Sequence, residues 1–440
     1  MSKPTRTLLK VLIDQSRWRY VDFERNFCRT AERVLDGASR NLTISESQFR
    51  RWTAGKVQTL PGPDTCRVLE AMFGVDAAAL FGPPPSDSPA PAFNLEDEIT
   101  MTARDAQNEA GAAAAASISD TTIDQLRDDV TSLAREYSST SAFETFRKAR
   151  ELREQAEHER DRTQVPAQQQ DLLILAGQAC ALLSTAAFDL GSLDGAKRLS
   201  RSAALYGETA RFDPLRAFAG GTLAYIAYFS GQPAEAARQA RAAQMFGGLG
   251  DVARRRLSAI EARAYGYLGD APSAQRALAA SESEGRGFTD DLHDEVGGEF
   301  GFTLERLAMS NSSTCLLLGN GGQAETAAMH ALELAEAKPT AVRSVRVVGG
   351  AAADLAAARL LRGDLDGAAT AIEPVWEVPR EQRATGLLTR TARVRRTLTA
   401  VRYRAAPLAA ELGERIEDFT RLSAQQQLGT ATGTVAALEG

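Results

Sequence analysis

The sequence predicts an all-α chain, built as a small helical head followed by a long array of helical hairpins. Three observations predict it. Aromatic residues make up only 6% of the 440 positions while Ala, Leu and Arg abound, a composition that favours close-packed helices over sheets, where β-branched and aromatic residues are preferred. A Pro/Ser stretch, PPPSDSPAPAF after Phe81-Gly82, separates a basic segment from an acidic remainder. Beyond it, a Gly-Ala phrase recurs five times. A hydrophobic content of 44% over this length supports more than one domain with its own core.

In the head, LLKVLIDQ reads as a first helix. YVDFERNFCRTAERVL repeats apolar residues at Val21, Phe23, Phe27, Ala31 and Val34 and reads as a second. In TISESQFRRWTAGK, Ser45 and Gln48 form an S-x-x-Q capping box, so a helix is expected from near Glu46 to Ala54, with Gly55 as its left-handed stop. At 100° per residue Phe49 and Trp52 share one face. Ser47, Arg50, Arg51 and Ala54 occupy the other, with Glu46 at its border. Pro63-Asp64 then opens a helix over TCRVLEAMFG, and VDAAALFG adds a last turn. Residues 1–82 hold 13 Lys and Arg against 9 Asp and Glu, while residues 83–440 hold 38 against 48. A basic head on an acidic body suggests that the head meets a polyanion.

This order of parts, a supporting helix, S-x-x-Q-x-x-x-W-x-x-G-K, a Pro turn and C-R-V-L-E-x-M-F-G-V with a final L-F-G, resembles the Cro/repressor-like helix-turn-helix domains. The departure is the long connection DGASRNLT, where that family has a turn of three or four residues. A short helix with two outward Arg is by itself more often a solvated face. The capping box, the W-x-x-G-K ending, the basic head and the resemblance together favour a recognition helix, whose Arg side chains suit guanine O6 and N7 in a major groove. The residues expected at double-stranded DNA are Ser45, Glu46, Ser47, Gln48, Arg50, Arg51 and Lys56.

The body repeats. GSLDGA, GQPAEA, GDAPSA, GNGGQA and GDLDGA begin at Gly191, Gly231, Gly269, Gly319 and Gly363, at spacings of 40, 38, 50 and 44 residues. Five positions after each Gly stands Ala: Ala196, Ala236, Ala274, Ala324 and Ala368. Seven positions before it stands another small residue: Ser184, Ala224, Ala262, Ser312 and Ala356. Small residues at these offsets let the two helices of a hairpin approach closely, and the Gly ends the first helix. The pattern resembles tetratricopeptide repeats, at longer spacings than that family's usual 34 residues. TTIDQLRDDVTSLAREYSS with SAFETFRKARELREQAEHER, and RATGLLTRTARVRRTLTAVRYRA with LAAELGERIEDFTRLSA, add a hairpin at each end. The expected organisation is a helix-turn-helix domain over 1–82, a linker with a connecting helix over 83–119, a tetratricopeptide-like helical-hairpin solenoid over 120–425, and a frayed tail over 426–440.

Stacked hairpins give a concave groove lined by their first helices. Counting back six, three and two residues from the repeat glycines places Thr185, Phe188, Tyr225, Tyr228, Arg263 and Tyr267 inward, with Thr185, Tyr225, Tyr228, Arg263 and Tyr267 as the expected ligand contacts. Catalytic, cofactor and metal motifs are not found, and no catalytic residue, cofactor or metal is expected. DDLHDE at 290–295, with Asp290, Asp291, His293 and Asp294, reads as a solvated loop rather than a cation site. Gly297, Gly298, Phe300 and Phe302 read as a plug between repeats or a flap over the groove. Cys28, Cys66, Cys180 and Cys315 lack C-x-x-C spacing and read as reduced core thiols. With no leader-like start and no run of 18 apolar residues, a cytoplasmic protein away from membranes is expected. The whole resembles bacterial helix-turn-helix regulators with tetratricopeptide-like sensors, including the peptide-pheromone receptors of the Rgg and PlcR type. That resemblance implies a homodimeric transcription factor responding to a peptide or small molecule. The competing expectations are an interaction scaffold that does not read DNA sequence, and a constitutive DNA-binding protein whose repeats only dimerise it.

Overall fold

The structure is a computed structural model describing residues 7–36, 41–84, 95–115 and 117–421. The expected frayed tail 426–440 and most of the Pro/Ser linker lie outside the described residues. Twenty-one α-helices and no strand are found among the described residues. The chain divides into two compact units, Met1–Arg104 and Asp105–Gly440, with the boundary inside the helix Leu95–Ala115 rather than at residue 82.

The first unit contains α1 (Leu8–Gln15), α2 (Tyr20–Val34), α3 (Glu46–Thr53), α4 (Pro63–Phe73) and α5 (Ala77–Phe81), and it holds the start of α6 (Leu95–Ala115). Leu9, Ile13, Phe23, Phe27, Trp52, Val68, Leu69 and Leu80 form its core. Phe49 packs against Phe23 at 5.1 Å between ring centroids, Trp52 meets Phe81 edge-on at 5.6 Å, and Tyr20 Oη donates to the Ile44 carbonyl at 2.8 Å. The apolar pattern of α2 holds at Phe23, Phe27 and Ala31. It fails at Val21 and Val34, which are exposed near the two ends of the helix. Thr30 takes the buried place between Phe27 and Ala31 instead.

The second unit continues with α7 (Asp120–Glu136), α8 (Ala142–Arg162), α9 (Pro166–Asp189), α10 (Leu193–Thr209), α11 (Asp213–Phe229), α12 (Pro233–Ala243), α13 (Asp251–Leu268), α14 (Ala271–Glu282), α15 (Leu304–Leu317), α16 (Gly321–Glu336), α17 (Val345–Arg362), α18 (Leu365–Ala371), α19 (Glu373–Trp376), α20 (Thr385–Leu398) and α21 (Pro407–Arg421). Helices adjacent in sequence pack antiparallel as hairpins, and each hairpin packs on the next. All five repeat glycines have positive φ, from 71° to 95°, which is the left-handed turn that lets the second helix fold back. Both sets of small residues are fully or almost fully buried. In two repeats the approach is also hydrogen-bonded: Ser184 Oγ donates to the Ala196 carbonyl and Ser312 Oγ to the Ala324 carbonyl, each at 2.8 Å.

α9 is long and apolar enough to cross a membrane by length and composition, but 78% of its most apolar window is buried inside the unit. Its length serves packing, since it lies between α8 and α10 and also touches α7 and α11. Cys180 and Cys315 are buried thiols, whereas Cys28 and Cys66 are half-exposed, which corrects any reading of all four as core residues.

The hairpin geometry predicts a size limit at Ala236, which is completely buried. Ala236→Leu should cost about 1–3 kcal/mol by overpacking the crossing, while Ala410→Leu, on the exposed side of α21, should be nearly neutral. Thermal melting of the two variants beside the parent checks this.

Candidate functional sites

In the first unit, the outward face of α3 is set by its cap. Ser45 Oγ accepts from Gln48 N at 3.3 Å and Gln48 Oε1 accepts from Ser45 N at 3.0 Å, so both capping-box bonds form. The helix ends at Thr53, one residue before the expected end, with Gly55 at φ 67°. Phe49 and Trp52 pack inward. Ser45, Glu46, Ser47, Arg50, Arg51 and Lys56 are exposed, and Gln48 is half-buried by its capping role. Arg50 pairs with Glu46 at 2.5 Å, an exposed i,i+4 pair of small net worth. The Arg51 guanidinium and the Lys56 ammonium have no partner among the described residues, so they are the two cations of this face that meet solvent uncommitted. The connection between α2 and α3 includes 37–40, outside the described residues.

In the second unit, a cavity of about 330 Å³ opens at the centre of the hairpin array. Thr185, Tyr225, Tyr228 and Arg263 line it, as does Phe188. Tyr267 does not. Two residues before the repeat glycine is a different helical bearing from three and six, and Tyr267 instead stacks behind Tyr228 at 5.2 Å. The aromatic wall is continuous: Phe188 meets Tyr225 at 4.9 Å and Tyr225 meets Tyr228 at 5.0 Å. Burial raises the Tyr225 and Tyr228 phenols, so both remain protonated donors at neutral pH.

Repeat spacing alone did not place the rest of the lining, because it comes from the two ends of the array meeting. Arg346, at the start of α17, pairs with Asp189 at the end of α9 (2.7 Å) and donates to the Thr140 carbonyl (3.1 Å). The same Asp189 carboxylate accepts from Tyr137 Oη at 2.7 Å. Thr385 Oγ1 donates to the Phe188 carbonyl at 2.8 Å, and Gln382 Nε2 to the Ser139 carbonyl at 3.1 Å. Apart from Tyr137–Asp189, 52 positions apart, these bonds join residues 157 to 243 positions apart in sequence. They bring α7, α9, α17 and α20 around one space.

The interval between α14 and α15 closes another side. A π-helical turn, Asp291–Val296, sits in it. DDLHDE is not a solvated loop here: Asp290 and His293 are buried. The Asp290 carboxylate accepts from the backbone N–H groups of Gly250, Leu292 and His293 at 2.8–3.1 Å and lies 2.9 Å from His293 Nδ1. Asp294 accepts from Asp290 N, while Asp291 is exposed. No group of metal-binding side chains is found among the described residues. Gly298, at φ 59°, lies so close to the Ala134 carbonyl that a Cβ would stand 2.3 Å from it, and Glu299 N donates to that carbonyl at 2.8 Å. Phe300 is fully buried and edge-on to Phe218 at 4.9 Å, whereas Phe302, Gly298 and Glu299 face the cavity. The segment is thus a packed plug and a wall of the cavity at once.

The lining is strongly cationic. Seven Lys or Arg face three carboxylates. Three cations are matched with those carboxylates: Arg306 with Glu299 at 3.3 Å, Lys338 with Glu305, and Arg346 with Asp189. Arg390 pairs with the buried Asp354 just outside, at 3.0 Å. Arg135 donates to the carbonyls of Glu295 and Val296. Arg256 and Arg263, both buried, have no carboxylate within ion-pair distance: Arg256 donates to the Phe218 carbonyl and Thr222 Oγ1, and Arg263 to the carbonyl and hydroxyl of Ser310. Burial, reinforced by the neighbouring Arg306 cation, brings the Arg256 guanidinium down to about 10, so it remains charged at pH 7.

No protein-family model matches this chain, and no curated protein matches it.

The Asp290 knot gives a pH-dependent prediction. Burial raises this carboxyl, but the bonds and charge from His293 and the backbone N–H groups outweigh it and hold it below its ordinary value. Its folded value therefore lies below the unfolded one of about 3.9. The stability it contributes is full above that pH and is lost as pH falls through the folded value. Asp290→Asn should cost about 1–3 kcal/mol at neutral pH, and the gap from the parent should close below about pH 4. Denaturant melts at several pH values measure it.

Proposed function

We propose that the chain is a DNA-binding transcriptional regulator whose first unit contacts duplex DNA through α3, and whose second unit senses a ligand in the central cavity and dimerises the protein. The single observation that carries the reading is the outward face of α3. A capped helix, anchored by Phe49 and Trp52, offers Ser47, Arg51 and Lys56 to solvent with both cations unpaired, at the position where the sequence resembles a helix-turn-helix recognition helix. Because no acid among the described residues engages them, both cations are free to meet an outside anion. A phosphate backbone and base edges supply their partners.

The cavity supports the sensor half of the reading. Its walls come from seven separated stretches of the chain, and a ligand there favours the arrangement in which they stand together. Its volume, about 330 Å³, lies at the low end for small-molecule sites and favours a compact effector over a peptide of several residues. The alternative, a helical-hairpin scaffold that binds only other proteins, gives no role to the cationic lining.

The test is DNA binding by the full chain. A duplex selected from random sequence should bind, with affinity falling steeply as salt rises. Arg51→Ala should relax base preference by about 1–3 kcal/mol at one position. Lys56→Ala should weaken all sequences alike and lower the salt slope by about one. Arg50→Ala should have a smaller effect than Arg51→Ala, because Arg50 must first leave Glu46. The selected sites should be two-fold symmetric, and solution mass should show a homodimer on them. A chain that binds no duplex at low salt is the scaffold instead.

A further inference from the structure

Arg256 and Arg263 are seven residues apart on α13, two turns along one helix face, and both line the cavity. They are 8% and 5% exposed. The nearest carboxylates that affect them are already engaged: Glu299 with Arg306, and Asp354 with Arg390 and Arg393. Their present partners do not need them. The Phe218 carbonyl also accepts from Thr222 Oγ1, and the Ser310 carbonyl from Thr314 Oγ1, inside their own helices. Arg263 Nε is buried with no partner at all. Burial lowers the Arg256 guanidinium, which lies 4.0 Å over the Phe218 ring, whereas at Arg263 burial is outweighed by Tyr228, Tyr225, Tyr267 and Asp354. Neither has a carboxylate beside it, and an ion removed from water without a paired counter-charge costs several kcal/mol.

We propose that this pair is the binding site for a compact dianionic small molecule, a dicarboxylate or a phosphate monoester carrying an apolar part. Its acid groups span Arg256 and Arg263, with Thr222, Ser310 and the Tyr225 and Tyr228 hydroxyls as further hydrogen-bonding groups on the same walls. The apolar part rests on Phe188, Ile260, Phe302, Met309 and Leu387, which line the same space. Arg is suited to the task because its planar fork meets carboxylate or phosphate oxygens two at a time. The inference deepens the sensor reading and rests on it only for what binding signals.

The full chain is melted with phthalate, phenyl phosphate, benzoate and neutral benzamide, at constant ionic strength and pH 8. Phthalate or phenyl phosphate at saturation should raise Tm by roughly 2–4 °C, benzoate less, and benzamide not at all. Which dianion acts assigns the acid group. Arg256→Gln and Arg263→Gln should each abolish the rise, and Arg256→Gln, which removes a charge that burial disfavours, should leave the ligand-free Tm unchanged or higher. The parent chain alone decides the matter if a variant folds poorly. No rise with either dianion, or an equal rise with benzamide, overturns the proposal, as does a variant that melts much lower yet keeps the dianion response. Duplex binding by the same preparation is scored separately. Dianion stabilisation without DNA binding removes the regulator reading and leaves this site standing, and the reverse result removes the site alone.

Discussion

The second unit depends on one constraint, the close approach of two helices at each Gly-centred hairpin. A small residue seven before the glycine meets Ala five after it, and both are buried in all five repeats. Where the first is Ser, its hydroxyl closes on the carbonyl of the facing Ala. The approach fixes how each hairpin sits, and every later hairpin inherits the setting, as in any array whose units touch only their neighbours. Curvature then accumulates until α17 and α20 reach α9. The cavity is a consequence of that accumulated turn, and the Arg346–Asp189 pair is where it closes.

Local features of the sequence were legible for the same reason. Each hairpin is a short-range object, so its glycine, its small residues and the inward offsets of its first helix can be counted. Thr185, Tyr225, Tyr228 and Arg263 were reached that way. Arg256 was equally reachable, standing seven before Arg263 on the same face. Arg346, Arg390 and Asp189 were not, because their place in the lining depends on ends that lie 150 or more residues apart meeting in space. The 50-residue spacing between Gly269 and Gly319 signalled an insertion, but its acidic run looked solvated. Burial of Asp290 and His293 follows from three backbone N–H groups that no residue count reveals. In the first unit the capping box fixed α3 to within a residue, while Val21 and Val34 show that apolar periodicity loses meaning near the ends of a helix.

The distribution of acids explains the unpaired cations. Closing the array and tying down the insertion use carboxylates: Asp189 holds Arg346 and Tyr137, Glu299 holds Arg306, Glu305 holds Lys338, and Asp354 holds Arg390 and Arg393. Every acid near the cavity is thereby engaged at a junction between segments. Of the three guanidiniums left over, the exposed Arg135 is held by the Glu295 and Val296 carbonyls, and the two buried ones lie on α13, away from the closing junctions. They bond α13 to its neighbours α11 and α15 without a carboxylate, whereas the cations at the closing junctions are held by acids.

On the regulator reading, the size of the signal such a site can send is also bounded. Moving a two-state equilibrium from 1:99 to 99:1 needs a ligand that discriminates between the states by about 5.5 kcal/mol. Hydrogen bonds to charged groups contribute roughly 1.5–3 kcal/mol each, so a dianion engaging Arg256 and Arg263 supplies about 3–6 kcal/mol to the arrangement that presents both. That matches the demand only if the competing arrangement separates the two guanidiniums from the rest of the lining, since a ligand bound equally in both states shifts nothing. Both stand on one rigid helix, so the movement must lie between α13 and its neighbours α11 and α15, which carry Thr222, Tyr225, Tyr228 and Ser310. The hairpin crossings at Ala224, Ala262 and Ser312 are packed too tightly to give, which places the freedom between hairpins rather than within them.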